Sequence, residues 1–183
     1  GKMGYALAQA AVDAGARTTL VSGPVNLAAP DHTRLVGVQS AEEMLEECLK
    51  LLPECDIFIA CAAVADYRPA AVQDQKIKKG PQEMSLQLVR TPDIVAAVAA
   101  DKHRPYTVGF AAETNDVLAY AREKMRRKGL DMIIANDVAD PAIGFNSNDN
   151  AVTVLRRDSE HLLARASKTT IARQIVHLIA QDI

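Results

Sequence analysis

The stretch QKIKKG at residues 75–80 places Lys76, Lys78 and Lys79 within four positions of a chain whose formal net charge is only -2. Ammonium groups on flexible stems follow a polyanion such as a triphosphate without demanding one geometry. Read alone, the same run is equally a solvated charge run. Asp66 follows an apolar run at 55–64. It is either a local cap or ion-pair partner, or a contact to Mg²⁺, which takes few protein carboxylates beside nucleotide phosphates. Lys124 and Lys128 lie four residues apart and share one helix face. Cations in a last helical turn are also favoured by the helix dipole, and Arg126 and Arg127 extend the basic turn in either reading. GKMG, residues Gly1, Lys2, Met3 and Gly4, opens a helix-like pattern where backbone N–H groups could face an anion. Phe110 ends an apolar run and is either core or the border of a base or ribose. The four histidines, at 32, 103, 161 and 177, show no pairing.

Elements that position these residues can be read from periodicity. Residues 2–14 are Ala-rich and helical by composition, with Gly15 as a C-terminal cap. Short β-branched runs follow at 17–24 and 33–38. Helix 40–52 starts with Ser40 and Glu43, a capping-box spacing. The continuous apolar run 55–64 has the character of a central parallel strand buried on both faces. Residues 83–90 alternate as a strand, and 91–101 read as a helix with Thr91 as N-cap and Pro92 in its first position. Strand 106–114, amphipathic helix 116–129 and strand 131–137 come next, then a loop over 141–150. A hairpin from 151–157 and 160–166 and a closing helix at 168–182 complete the chain. Alternating strands and helices predict an α/β fold, a doubly wound, mostly parallel Rossmann-like sheet with an antiparallel edge hairpin. In such sheets ligands bind outside the carboxyl ends of the strands. Ala65 to Arg68 with Lys76, Lys78 and Lys79, Glu113 to Asn115, Asn136 and Asp137, with Thr91 before its helix, should therefore gather at one edge.

Bulk properties set the frame. At 183 residues and 49% apolar composition the chain suits one globular domain. Lys plus Arg is 21 against 23 acidic residues, which argues against a protein that coats nucleic acid. Cys48, Cys55 and Cys61 are odd in number and have no C-x-x-C spacing, pointing to free thiols in a reducing compartment. No apolar run reaches membrane-spanning length, so no membrane partner is expected. With a start that reads as helix rather than signal peptide, a cytoplasmic location is the expectation.

Eight strings occur here in order: GKMG, TLVSGPV, AAVADYR, KIKK, PDIVA, VGFAAET, ANDV and GFNS. Together they resemble the phosphopantothenate–cysteine ligases of coenzyme A biosynthesis. In bacteria these form the C-terminal domain of a bifunctional protein whose upstream part is an FMN-dependent decarboxylase. The resemblance implies a Mg²⁺- and CTP-dependent ligation of phosphopantothenate to cysteine through an acyl-cytidylate. It implies Lys76 as catalytic lysine, with Lys78 and Lys79 in the same flap. It puts CTP-binding positions on Ala62, Asp66, Lys76, Pro92, Asp93, Ile94, Val95, Phe110, Lys124 and Lys128, with Asp66 as metal contact. Residues Gly1 to Gly4 would face phosphopantothenate. Cytosine would be read by backbone groups of the 60–63 and 92–95 turns. A homodimer is implied, with hairpin 151–166 as a possible contact. Family members carry a first strand and an asparagine-bearing segment before GKMG. Residues 1–183 are therefore expected to form a single ligase domain that lacks that strand and catalytic loop. Two other readings remain. A non-catalytic nucleotide-binding module would bind CTP without turnover. An NAD(P)-dependent oxidoreductase would want a glycine fingerprint and an acid after the second strand, where VSGP stands instead.

Overall fold

The computed structural model describes residues 1–72, 75–78, 80, 84–113, 116–137 and 147–183, with Glu113 and Asp137 as backbone only. Helix α1 spans Lys2–Asp13 and ends as its composition predicts. The N–H of Gly15 bonds the carbonyl of Val12 at 2.8 Å and that of Ala16 bonds Ala11 at 2.9 Å. This paired closure needs the positive φ of 88° that Gly15 supplies. Strands β1, Thr18–Ser22, and β2, Thr33–Gly37, pair in parallel. Helix α2 spans Ala41–Leu51. Ser40 Oγ accepts from the Glu43 N–H at 3.1 Å, and the Glu43 carboxylate reaches back to the Gln39 N–H at 2.8 Å. The capping box thus closes one residue further upstream than its usual form.

Strand β3, Ile57–Ala60, leads to a short antiparallel ribbon of β4, Tyr67–Pro69, and β5, Leu88–Arg90. Next come α3, Ile94–Ala99, β6, Tyr106–Glu113, α4, Val117–Lys128, and β7, Met132–Asp137. The chain finishes with β8, Asp149–Leu155, β9, Glu160–Ser167, and α5, Lys168–Ala180. Five strands form one sheet in the order β3-β6-β7-β8-β9. Strands β3, β6 and β7 are parallel, while β8 and β9 run antiparallel as the expected hairpin. Period-two side-chain placement splits β7 between two cores. Met132 and Ile134 join Leu7, Ala10, Ile171 and Ile175 beneath α1 and α5. Ile133 and Ala135 join Ala121 and Met125 beneath α4. Helices therefore cover both faces, and the fold is the doubly wound α/β sheet with an antiparallel edge.

Three local expectations are corrected. The 55–64 run is shorter and less buried than expected: β3 is half-buried throughout and, among the described residues, bonds only β6 within its sheet. The buried centre belongs to β6 and β7, where Val108, Met132, Ile133 and Ile134 are fully enclosed. An apolar run of strand length does not encode how many neighbours the strand finds. The strand expected over 83–90 contracts to Leu88–Arg90, because its partner β4 offers only three residues in register; residues 81–83 lie outside the described residues. Helix α3 starts at Ile94 rather than 92, with Asp93 as its N-cap, since Thr91 is occupied elsewhere. Its hydroxyl donates to the Ala65 carbonyl and its N–H to the Asp66 carbonyl at 3.0 Å.

Two carboxylates fasten the amino-terminal edge of the sheet. Asp131 accepts from Arg104 and from the Thr107 N–H, both at 2.7 Å. Asp182 accepts from Tyr106 at 2.5 Å and from Arg156 at 2.8 Å. This end is committed to structure, which leaves the opposite edge for binding.

Candidate functional site

A cleft of about 1870 Å³ runs between the β1–β2 pair and β3 and reaches the carboxyl ends of the parallel strands. Its lining includes Ala62, Asp66, Pro92, Asp93, Ile94, Val95, Phe110, Lys124 and Lys128 on one side. Gly1, Lys2, Met3 and Gly4 line it from the head of α1. Nine positions spread over residues 62–128 thus meet at one edge, together with the first turn of α1, because that is where the parallel strands β3 and β6 both end.

Two lysines of α4 carry the electrostatics of one wall. Lys124 Nζ donates to the Phe110 carbonyl at 2.9 Å, which ties α4 to the end of β6. One turn on, Lys128 pairs with the Asp93 carboxylate at 2.8 Å. Asp93 also accepts from the Ala96 N–H at 3.1 Å and so caps α3. Burial alone would raise the Asp93 carboxyl, but the hydrogen bonds from Lys128 and Ala96 and the charges of Lys128 and Lys124 hold it below the usual carboxylate range. The Lys128 side chain is 16% exposed, so its charge is partly desolvated and directed into the cleft rather than to bulk water.

Asp66 sits at the rim where β4 begins, and its side chain is exposed. Among the described residues no group of three or more His, Cys, Asp or Glu could hold a metal ion. A single carboxylate fits a Mg²⁺ held chiefly by nucleotide phosphates and water, not a resident metal centre. Cys61 packs under Gly4, where an added Cβ would meet it at 3.8 Å. Burial pushes its thiol up to about 11, so it stays protonated at neutral pH and acts as packing.

The lysine stretch lies apart from this cluster. Lys76 and Lys78 are exposed, and neither lines the cleft; Lys79, Thr114 and Asn115 lie outside the described residues. The β4–β5 ribbon carries the stretch as an arm, rooted by the Thr91 contacts and by an Arg68–Glu42 ion pair. Sequence reasoning missed β4, and with it the arm. It also missed Asn150 and Lys168, which are buried at 4% and 8% exposure and line the same cleft. The signal for Asn150 was its place in the alternation Asn150, Val152, Val154, a polar residue at a core position.

Comparison with known proteins identifies the family. Residues 1–183 match the family described as the DNA/pantothenate metabolism flavoprotein C-terminal domain. The chain is 52% identical over 185 residues to the coenzyme A biosynthesis bifunctional protein CoaBC of Vibrio cholerae, covering 100% of this chain and 46% of that protein. It is 49% identical over 180 residues to the Escherichia coli protein of the same name, covering 96% of this chain and 44% of its relative. The chain therefore spans under half the length of these relatives. Its fold superposes on the crystal structure of a CoaBC C-terminal domain with a TM-score of 0.82 at 39% identity, covering 98% of this chain and 81% of the other. Among the described residues no helix is long and apolar enough to cross a membrane. A match along its whole length and half-identical relatives establish that the chain belongs to the DNA/pantothenate metabolism flavoprotein C-terminal domain family.

Proposed function

We propose that this domain ligates phosphopantothenate to cysteine at the expense of CTP in coenzyme A biosynthesis. The observation that carries this reading is the convergence of Asp93, Phe110, Lys124 and Lys128 on one end of the cleft, in a chain whose relatives are named for that biosynthesis. A protein of the same fold, a Cab2 mutant superposing with a TM-score of 0.64 at 16% identity, was solved in complex with phosphopantothenate-cysteine.

A carboxylate is a poor electrophile. In the first step its oxygen attacks the α-phosphorus of CTP, the bond to the β-phosphate breaks, and pyrophosphate leaves. In the second the cysteine amine attacks the acyl carbon of the acyl-cytidylate, the acyl–oxygen bond breaks, and CMP leaves as the nitrogen loses a proton. Both transition states gather negative charge, and fixed donors or cations at that point are the main lever a protein has. Lys124 and Lys128 would hold the nucleotide's phosphates, backbone at Ala62 and Pro92 to Val95 would bind the base, and Phe110 would border the ribose. Lys76 would neutralise the developing charge, with Lys78 and Lys79 in the same flap. Mg²⁺ supplies charge neutralisation on the phosphates when bound, and Asp66 is the carboxylate that would contact it.

In this reading residues 1–183 are one ligase domain, and Gly1 to Gly4 face phosphopantothenate. In family members a strand and an asparagine-bearing segment lie before GKMG. The decarboxylase and its FMN belong to the fused partner, the protein works as a cytoplasmic homodimer, and neither nucleic acid nor membrane takes part. Pyrophosphate release measured with phosphopantothenate and either CTP or ATP, with and without cysteine, tests the reading. Release with CTP, and amide product only when cysteine is added, is expected. CTP binding without release would leave a binding module. Stabilisation by NADPH in place of CTP would restore the oxidoreductase reading.

A further inference from the structure

Two stretches without a helix or strand of their own meet at the binding edge. Residues 61–65 follow β3, and residues 91–93 precede α3. Positions 62–66 and 91–95 all line the cleft. Neither stretch has a ladder of its own to fix its offset from the other.

Thr91 joins them with two hydrogen bonds. Its N–H donates to the Asp66 carbonyl at 3.0 Å, and its hydroxyl donates to the Ala65 carbonyl. The backbone bond continues the β4–β5 register by one step, since Tyr67 opposite Arg90 brings Asp66 opposite Thr91. The hydroxyl bond is additional and belongs to this side chain alone. Pro92 follows, and a residue before proline is restricted to extended backbone, which limits how far Thr91 can turn from the facing carbonyls. Beyond Pro92, Asp93 caps α3 and pairs with Lys128 at 2.8 Å. The head of α3 is thus tied to α4 through Asp93 and to the turn after β3 through Thr91. Beneath both stretches, Val64 packs against the apolar cluster that holds Ile94. Such packing is non-directional. It keeps the two stretches together and leaves their offset to the Thr91 bonds.

We propose that Thr91 is a positioning residue that sets the offset between the 62–66 and 92–95 stretches, and with it the choice of nucleotide base. The inference rests on the ligase reading, in which backbone groups of these stretches bind the base. Along the edge where cytosine offers an amino donor and a ring acceptor, uracil offers an acceptor and a ring donor. Protein donors and acceptors discriminate such analogues only when held in register with that edge. Freeing the hydroxyl lets the stretches slide, which costs the match to one base more than the grip on the phosphates.

The test is steady-state pyrophosphate release by the full-length protein, wild type against Thr91→Val and Thr91→Ser, with CTP, UTP and ATP. Valine keeps the shape and the N–H and removes only the hydroxyl, while serine keeps the hydroxyl. Thr91→Val should raise KM for CTP about fivefold, the scale of one net hydrogen bond, and leave KM for UTP within about twofold. Its kcat and its KM for phosphopantothenate should also stay within about twofold. Thr91→Ser should keep the wild-type preference among bases. A wild-type KM and preference in Thr91→Val overturn the proposal. So does an equal rise in KM for all three nucleotides, the result of a merely structural brace, and so does an equal loss of preference in Thr91→Ser. Circular dichroism identifies a variant that does not fold, and Thr91→Ala then carries the same expectations as Thr91→Val. Where wild type prefers ATP, a preference narrowed in Thr91→Val supports the proposal and an unchanged one overturns it. Should wild type release no pyrophosphate, the ligase reading fails by itself, and equilibrium binding of the same three nucleotides decides the role of Thr91. A preference lost in Thr91→Val and kept in Thr91→Ser then supports it. Equal binding of all three by wild type, or binding of none, overturns it.

Discussion

Asp93 has two separable tasks, and substitutions can divide them. As N-cap it accepts from the Ala96 N–H, and as an anion it pairs with Lys128. Loss of a cap to alanine costs about 1 kcal/mol. The carboxylate is half exposed, which limits its ion pair to the surface range of about 0.2–1 kcal/mol. The weakly exposed Lys128 ammonium favours the upper end of that range. Asp93→Ala should therefore lose about 2 kcal/mol, and Asp93→Asn, which caps as well as aspartate, about 1 kcal/mol or less. Urea denaturation with an unchanged slope reads both values from the midpoints. Under the proposed function, Lys128 in the Asp93→Asn protein no longer shares its charge with a carboxylate, so CTP should bind about two- to fivefold more tightly, a gain of up to about 1 kcal/mol. If the asparagine variant is as unstable as the alanine variant, the cap is irrelevant. If CTP binding weakens in both, Asp93 contacts the nucleotide itself. Either outcome refutes this division of labour.

The same carboxylate sets an acid limit. Its lowered folded-state value means that its stabilisation is complete above the ordinary aspartate range near 4 and is lost as pH falls through that lowered value. Wild type should thus lose more stability than Asp93→Asn on acidification below about pH 4, as read by denaturation at stepped pH. Gly109→Ala would place a methyl 2.6 Å from Leu130 Cδ1. An overpacking cost of about 1–3 kcal/mol is expected, relieved by a paired Leu130→Ala in a double-mutant cycle. Thr91→Val removes the hydroxyl bond to Ala65 at the root of the arm. Amide exchange at Tyr67, Arg68 and residues 88–90 should quicken while exchange in β6 and β7 stays unchanged. Under the proposed function, Lys76→Gln should reduce turnover at least about 10²-fold, and wild-type-like ligation would remove Lys76 from the mechanism.

Local chemistry was legible in the amino-acid order. The Ala-rich run closed by Gly15, the Ser40–Glu43 cap, the amphipathic helix ending at Gly129 and the closing hairpin each depend on neighbours within a few residues. Each formed close to where its spacing predicts. Lys124 and Lys128 share a face for the same reason, since a four-residue spacing is nearly one helical turn. Ladder partners are another matter, because a strand's neighbours come from distant sequence. The 55–64 run has the composition of a strand buried on both faces, yet among the described residues β3 pairs with β6 alone and is half-buried. Pairing of β4 with β5 joins residues about twenty apart through three rungs, too few to leave a periodic signature. Asp93 meeting Lys128, and Asn150 meeting the cleft beside Lys168, depend on how α3, α4, β8 and α5 pack. Residue types and caps determined the elements and the candidate groups. Tertiary packing alone decided which candidates share a wall, because contacts across a sheet edge depend on strand order and not on spacing along the chain.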